Sequence, residues 1–357
     1  MSDKWKYREE GKQISQSVIA QKSTEDLLKA KDFIKGLLDL RKSEKLMRTY
    51  IKGTKDAIEY NQKDKVYVDY RFDGTATGRL SCAAYSAKKS MGVSFHTLPR
   101  DTDDNIRSLF VAPLNWNFIT VDYSGMELRI LAHIAKEGNM QKALMSGEDL
   151  HSYTAKLLFD KDTISKEERQ IAKTVSFLIV YGGGAFNLSE TMGISIRRAE
   201  KIISNYQRVY PGIFSYMEYI NEFIKENGYA YTIFGRHRNL PDVYSRDRSV
   251  VNRALRQGVN FTIQSAASDT LLCSLLGIND QFTTKGMQSR VVATVHDSVE
   301  IVSPPEETQE ACEIIYDEMV NYPFIRKVFN MEFSVPLAID MEVGKSFGGG
   351  EEVHIQK

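Results

Sequence analysis

A mixed α+β fold, with one small sheet among many helices, is predicted by three features of this 357-residue sequence. Residues 124–245 carry helical periodicity, broken only at Gly182–Gly184, Pro211–Gly212 and Gly228. The stretch NFITVDY (117–123) is a short apolar run ending in an acid, which reads as a buried strand. The stretch SRVVATVHDSVEIVSP (289–304) is two β-rich runs around a tight turn at His296, Asp297 and Ser298, which reads as a hairpin.

The other elements follow in order. Residues 24–60 read as helical, with Leu27, Leu28, Ile34, Leu37, Leu38 and Leu40 spaced among Lys and Glu. VYVDYRF (66–72) alternates like a strand and runs into the turn-rich DGTATGRLS. A helix over 306–321 precedes the strand-like PLAIDMEVG. The sequence shows neither an internal repeat nor a low-complexity linker.

Composition narrows the function classes. Lys+Arg and Asp+Glu both number 47, so the chain is not a wholly basic polyanion binder. Charge is uneven, however. Residues 1–65 hold 16 basic and 11 acidic groups, a net of +5; residues 304–357 hold 4 and 11, a net of −7. This fits a protein that grips a polyanion with part of its surface, and equally fits chance clustering on solvated helices. Cys82, Cys273 and Cys312 are far apart and form no CxxC, which predicts a reducing, cytoplasmic setting and no structural zinc. The N-terminus is too charged for a signal peptide, and the apolar runs fall short of the ~18 residues of a membrane span.

Two acids stand at strand ends. If the strands of Asp122 and Asp297 are neighbours, their carboxylates converge, and unpaired like charges there favour a divalent cation. Oxygen-only ligands suit hard Mg²⁺ better than zinc. Each acid alone is equally compatible with a turn cap. RQIAKTVSFLIVYGGG (169–184) places Arg169, Lys173, Phe177 and Tyr181 four residues apart, along one slowly drifting helix face. Two cations suit a polyphosphate, and two rings suit a base or sugar. The bland alternative is an amphipathic helix with both rings in the core. Together, acids and stripe point to phosphoryl transfer from a nucleotide, chemistry that needs mainly positioning and charge neutralisation. The glycines 182–184 lack the GxxxxGK[ST] pattern and read as a helix stop or hinge.

These residues resemble the polymerase domain of family A DNA polymerases. VDYSGMELRILAHIA (121–135) is similar to the family's first catalytic motif, RQIAKTVSFLIVYG (169–182) to its finger helix, and VHDSVEI (295–301) to its third motif. TATGRLS (75–81), DLHSYTA (149–155), FGRHRNLPD (234–242) and RQGVNFTIQSAASD (256–269) match in order, so the likeness covers roughly residues 35–347. It implies a right-hand polymerase with a small antiparallel palm sheet, helical fingers and a reduced helical thumb. The implied boundaries are thumb 1–65, palm 66–145 and 246–357, and fingers 146–245.

The resemblance also implies roles. Asp122 and Asp297 hold two Mg²⁺ ions, with Mn²⁺ as a substitute, and the Tyr123 carbonyl is a further ligand. Arg169 and Lys173 bind the triphosphate, Lys173 also protonating pyrophosphate, and His151 reaches the phosphates. Phe177 packs on the sugar, Tyr181 lies near the template base, and Glu127 blocks a 2′-hydroxyl. Arg79, Arg256, Asn260, Gln264 and His296 contact primer–template DNA, largely in the minor groove, whose acceptors are common to all correct pairs. The finger helix is expected to swing and select the dNTP by induced fit. His133, His237 and His354 lack ligand-like spacing and read as structural or surface residues.

Departures from the pattern carry expectations of their own. Ser298 stands where most members have Glu, Gly125 where a Gln is common, and Leu178 where Gly is frequent. SFHTLPR (94–100) replaces a usual NLQNIPR, so its amides are not carried over. About 70 residues precede TATGRLS, which implies a shortened thumb, low processivity, and no exonuclease domain or proofreading. LLDLRKSEKLMRTYIKG (37–53) resembles the last thumb helix, and residues 1–35 are the expected place for a processivity or exonuclease partner. The compactness suggests a phage or mobile replicon acting in a bacterial host. Two other readings stand beside a DNA polymerase. Ser298 supports a single-subunit RNA polymerase, opposed by Glu127 and Phe177. A non-catalytic primer–template binder is opposed by the retained Asp122, Asp297, Arg169 and Lys173.

Overall fold

The computed structural model describes residues 24–84, 93–99 and 105–355. The partner site expected at residues 1–35 therefore lies largely outside the described residues. Contacts divide the chain into two units. One holds the described residues up to Asp69 together with 83–84 and 93–94; the other holds Tyr70–Cys82 and the described residues from Phe95 on.

In the first unit, helix α1 (Thr24–Lys45) continues through a wider π-type turn (Leu46–Lys52) into α2 (Gly53–Asn61). The helical expectation over 24–60 holds. Its apolar spacing does not mark a buried face, because Ile34, Leu37, Leu38 and Leu40 are all exposed. The buried apolar residues here are instead Tyr50 and Ala57. Strands β1 (Val68–Arg71) and β2 (Ser81–Ala84) pair as a ribbon where the chain passes into the second unit and back.

The second unit begins its main sheet at β3 (Asn117–Tyr123), with the bounds the sequence predicted. Seven helices follow: α3 (Met126–Ile134), α4 (Gly138–Met145), α5 (Leu150–Phe159), α6 (Lys166–Val180), α7 (Ala185–Met192), α8 (Ile196–Val209) and α9 (Pro211–Asn227). Pro211 starts α9 at a first-turn position, where its missing N–H costs no helical bond, and Gly228 ends it at φ +75°. A small hairpin, β4 (Tyr229–Tyr231) and β5 (His237–Asn239), leads to the 37-residue α10 (Arg248–Thr284). The hairpin β6 (Arg290–Val295) and β7 (Ser298–Ser303), helices α11 (Thr308–Tyr316) and α12 (Pro323–Phe329), and strands β8 (Ile339–Gly344) and β9 (Gly350–Glu352) complete it.

The sheet order is β6-β7-β3-β8-β9, with each neighbouring pair antiparallel. Strand alternation sorts its faces. Ile119, Val121 and Tyr123 with Val299 and Ile301 join the core cluster. Thr120 and Asp122 face the other way, level with Glu300, Ser298, Glu342 and Asp340. Helix α10 packs against α3, α9 and α12 and forms the middle of that core. By length and composition it could cross a membrane, contrary to the expectation that every apolar run was too short; 83% of its apolar window is buried in the fold. It is a core helix. The turn between β6 and β7 is His296–Asp297 alone, since Ser298 already belongs to the strand, and a bulge interrupts β6 between Val291 and Ala293.

Candidate active site

The hairpin brings the two acids together. Asp122 pairs with Ser298 across β3 and β7, and the Tyr123 amide donates to the Asp297 carbonyl at 3.3 Å. His296 takes a left-handed φ of +59°, which closes the two-residue turn and lifts Asp297 to its tip. The Tyr123 side chain points into the core, where its hydroxyl meets Ser274 Oγ at 2.8 Å and donates to the Met319 carbonyl at 3.0 Å. Only its main chain is left to face a cation. Among the described residues no three or more His, Cys, Asp or Glu gather as a ligand shell. Two carboxylates and a carbonyl are a donor set that fits Mg²⁺, which usually keeps much of its shell for water and substrate phosphates.

A buried carboxylate sits beside this pair. Glu127, at the start of α3, is 5% exposed. Arg79 Nη2 donates to its Oε1 at 2.7 Å and the Tyr181 hydroxyl donates to its Oε2 at 2.9 Å. Arg79 Nη2 also reaches Asp297 Oδ1 at 3.4 Å, so one guanidinium joins Glu127 to the β6–β7 hairpin. Burial raises the Glu127 pKa, and the Arg79 charge opposes that rise. The TATGRLS turn positions Arg79. Thr75 Oγ1 donates to the Arg79 carbonyl at 2.7 Å, and Ser268 Oγ on α10 donates to the Gly78 carbonyl at 3.1 Å. Gly78 has φ +71°, and a Cβ there would meet the Arg236 guanidinium at 3.0 Å. Arg236 is itself locked to Asp269 by a 2.6 Å ion pair.

The stripe on α6 is not a core face. The buried side of this helix is Ile171, Ala172, Val175, Ser176, Ile179 and Val180. A capping box starts the helix, Ser165 Oγ accepting from the Glu168 amide and Glu168 accepting from the Ser165 amide. Arg169 forks onto Asp149 through Nε–Oδ2 at 2.9 Å and Nη2–Oδ1 at 2.8 Å. Asp149 caps α5, and the Arg169 guanidinium holds its carboxyl well below the usual range. Lys173 is exposed and forms no ion pair with a described residue. Phe177 lies half-buried beside His151, ring centroids 5.9 Å apart. Burial lowers the His151 pKa to about 4. Its Nδ1 is buried without a partner, as are Arg79 Nε and Asn260 Oδ1. Buried polar atoms of this kind call for a partner, either water or a ligand. Tyr181 ends the helix, and Gly182 turns away at φ +70° with the Arg256 stem 2.8 Å from where a Cβ would sit.

Asn260 and Gln264 lie on α10, and Gln264 neighbours both Glu127 and Tyr181. The structure thus gathers Asp122, Asp297, Glu127, Arg79, Tyr181 and Gln264 around one spot, with Arg169, Lys173, His151 and Phe177 on the finger helix and its neighbour. Three residues escaped the sequence reading. His96 bonds the Thr294 carbonyl at 3.2 Å and lies 5.1 Å from the His296 ring. Asp340 pairs directly with Asp122 on the β8 side. Glu300 is buried one pair further along the sheet. His96 sits in the SFHTLPR segment that matched no motif; alternation in DMEV and SVEI was the available signal for the other two. His133, as expected, is packed, against the Phe333 ring at 5.3 Å and the Ser334 hydroxyl at 3.1 Å.

An α+β palm-like sheet carrying paired acids is flanked by a helix with a cationic and aromatic stripe. The family model described as DNA polymerase family A matches residues 1–349. The chain is 32% identical to DNA polymerase I of Chloroflexus aurantiacus over 317 residues, covering 87% of this chain and 32% of that protein. It is also 32% identical to DNA polymerase I of Streptococcus pneumoniae strain R6 over 322 residues, 88% of this chain and 34% of that one. A solved structure of the POL domain of Pol1 from M. smegmatis, in complex with DNA primer-template and dNTP, superposes with a TM-score of 0.78 at 26% identity. That match covers 88% of this chain and 53% of the other. The chain belongs to DNA polymerase family A. It spans about a third of the length of these two curated relatives.

Proposed function

We propose that this chain is a template-directed DNA polymerase that adds dNTPs to a primer 3′ end by two-metal-ion phosphoryl transfer. The observation that carries the reading is the convergence of Asp122, at the end of β3, and Asp297, in the turn of the neighbouring β6–β7 hairpin, joined through Arg79 to the buried Glu127. Two Mg²⁺ ions bound there would stabilise the attacking and leaving oxygens of an in-line displacement. Asp122, Asp297 and the Tyr123 carbonyl are the oxygens that would hold them.

The chain's other residues bind and orient. Arg169 exchanges Asp149 for the triphosphate, its fork suiting either anion. Lys173 places a proton-bearing Nζ beside the leaving phosphates. His151, neutral at pH 7, offers Nδ1 to the same group. Phe177 stacks on the sugar side. Glu127, fixed by Arg79 and Tyr181, occupies the space of a 2′-hydroxyl, which favours DNA over RNA synthesis. Arg79, Asn260, Gln264, Arg256 and His296 bind the primer–template, the kind of ligand held by the M. smegmatis neighbour. No exonuclease chemistry is assigned to these residues, so no proofreading step enters the reading.

Primer extension on a defined primer–template with Mg²⁺, offering dNTPs and rNTPs in parallel, tests this directly. Extension by dNTPs only, abolished by Asp297→Ala, is expected. Extension with rNTPs would move the reading to an RNA polymerase. DNA binding without extension would mean a non-catalytic relative.

A further inference from the structure

Glu300 is a glutamate in an unusual position. It is 1% exposed, in the middle of β7, on the sheet face that carries Asp122 rather than the face that packs on the core. Its partners are two hydroxyls. Ser298 Oγ donates to Oε1 at 2.7 Å and Thr120 Oγ1 donates to Oε2 at 2.7 Å. Both hydroxyls belong to the strands that carry the acids. Thr120 is two residues before Asp122, and Ser298 is the cross-strand partner of Asp122 and the residue after Asp297.

The cation whose charge acts on Glu300 is Arg107, whose guanidinium also donates to the Leu98 and Pro99 carbonyls at 3.2 Å and lies over the Phe347 ring. Burying a carboxylate with hydroxyl partners is costly. A neutral residue of similar shape would satisfy the same sheet. A carboxylate on the sheet face of Asp122 also adds negative potential where a cation is to be held, and the Ser298 hydroxyl, 2.7 Å from Glu300 Oε1 and 3.0 Å from the Val295 carbonyl, links it to the hairpin.

We propose that Glu300 is a positioning residue for the divalent cation: acting through the Ser298 hydroxyl, it orients the strand pair that carries Asp122 and Asp297 and supplies negative charge behind them. Glu300 is not itself a ligand. It is the outer partner of a site whose inner oxygens come from Asp122 and Asp297. Outer partners of this kind typically change metal affinity about 10- to 100-fold when removed. The inference rests on the cation site of the proposed function.

The test is Mn²⁺ titration, followed by electron paramagnetic resonance, of the protein bound to a dideoxy-terminated primer–template and the matching dNTP. Glu300→Gln keeps the shape and a hydrogen-bonding capacity but removes the charge. About ten-fold weaker Mn²⁺ binding is expected, with the Mg²⁺ activation curve for primer extension shifted by a similar factor and activity recovered at high Mg²⁺. Glu300→Asp should recover part of the loss. Ser298→Ala cuts the link without touching Glu300 and should weaken binding similarly, the double variant being no worse than either single one. Ser298→Ala alone decides the matter if Glu300→Gln does not fold. Unchanged Mn²⁺ affinity in a folded Glu300→Gln or Ser298→Ala protein overturns the inference. Asp297→Ala is the control. If it abolishes Mn²⁺ binding while Glu300→Gln does not alter it, only this inference fails. If Asp297→Ala binds Mn²⁺ like the unaltered protein, the cation site itself is misassigned.

Discussion

Arg79 Nη2 lies 2.7 Å from Glu127 Oε1 and 3.4 Å from Asp297 Oδ1, so a single guanidinium ties the start of α3 to the turn of the β6–β7 hairpin. The two carboxylates come from elements far apart in the chain, and Arg79 comes from a third, the TATGRLS turn. That turn is held on α10 by Ser268 and by the side chain of Arg236 against Gly78. In the proposed function, sugar selection and cation binding are therefore mechanically connected, and the connection can be broken at one residue at a time.

Glu127→Ala should open the sugar pocket. The side chain is buried and fixed from two sides, so its removal leaves a void where a ribose 2′-hydroxyl fits. The ratio of kcat/KM for dNTP over rNTP is expected to fall by about a hundred-fold, the scale on which a pocket admits or rejects one hydroxyl. Single-nucleotide incorporation with each substrate measures it. An undiminished ratio would show that Glu127 is not the gate.

Asp149→Asn should tighten nucleotide binding slightly. In the free protein Arg169 is forked onto Asp149, with both side chains more than two-fifths exposed. An exposed pair of this kind is worth about 0.2–1 kcal/mol, so releasing it lowers the KM for dNTP by only about 1.4- to five-fold. The amide oxygen of Asn can still cap α5. Arg169→Ala should instead raise that KM strongly, and steady-state kinetics on both variants separates the two cases.

How much was readable beforehand follows from how local each signal is. The bounds of β3 and the existence of the hairpin were legible because an apolar run and a turn are contained within a few residues. The start of α6 is likewise local, a Ser165–Glu168 box. Asp122 and Asp297 were legible as a pair through motif order, and the sheet places them together. Glu300 and Asp340 were not, because their meaning depends on which strands become neighbours of β3. Helix α1 was legible as a helix, while the exposure of its Ile34, Leu37, Leu38 and Leu40 was not, because periodicity states only which residues share a side of a helix, not what covers it. Ser298 was assigned to the turn but takes its place in β7 because a left-handed His296 closes the loop in two residues.

Gly182→Ala should loosen the grip on primer–template. Gly182 has φ +70°, and an alanine Cβ there meets Arg256 Cγ at 2.8 Å. The backbone conformation alone costs about 1–2 kcal/mol for a residue with a Cβ, and Arg256 must shift to make room. A lower melting temperature and weaker binding of a primer–template duplex are expected together. Gly184→Ala is the comparison: its φ is −122° and nothing lies within 4 Å of the added methyl. It should lose about 0.5 kcal/mol, from the weaker helix cap alone, and bind DNA normally. Equal effects from the two substitutions would place the cost in the helix stop rather than in Arg256.

Glu300→Gln should make the protein more stable at high pH and leave it unchanged at low pH. Burial pushes the Glu300 carboxyl up from an ordinary 4.5 to about 7. Between those values the folded chain holds a proton that the unfolded chain has released. Stability contributed by the neutral form is therefore present below pH 4.5, declines as pH rises towards 7, and is gone above it. The deficit at pH 8 is about 3 kcal/mol at most. Glutamine never ionises, so the variant escapes it: melting temperatures of the two proteins should coincide near pH 4.5 and separate progressively up to pH 8, the variant melting higher. Set beside the weaker Mn²⁺ binding expected of the same substitution, this is the signature of a group kept for its charge at a cost in stability. A gap in melting temperature that is independent of pH would mean that Glu300 is not the group titrating. A variant less stable at pH 8 would make it a structural residue whose hydrogen bonds outweigh its desolvation.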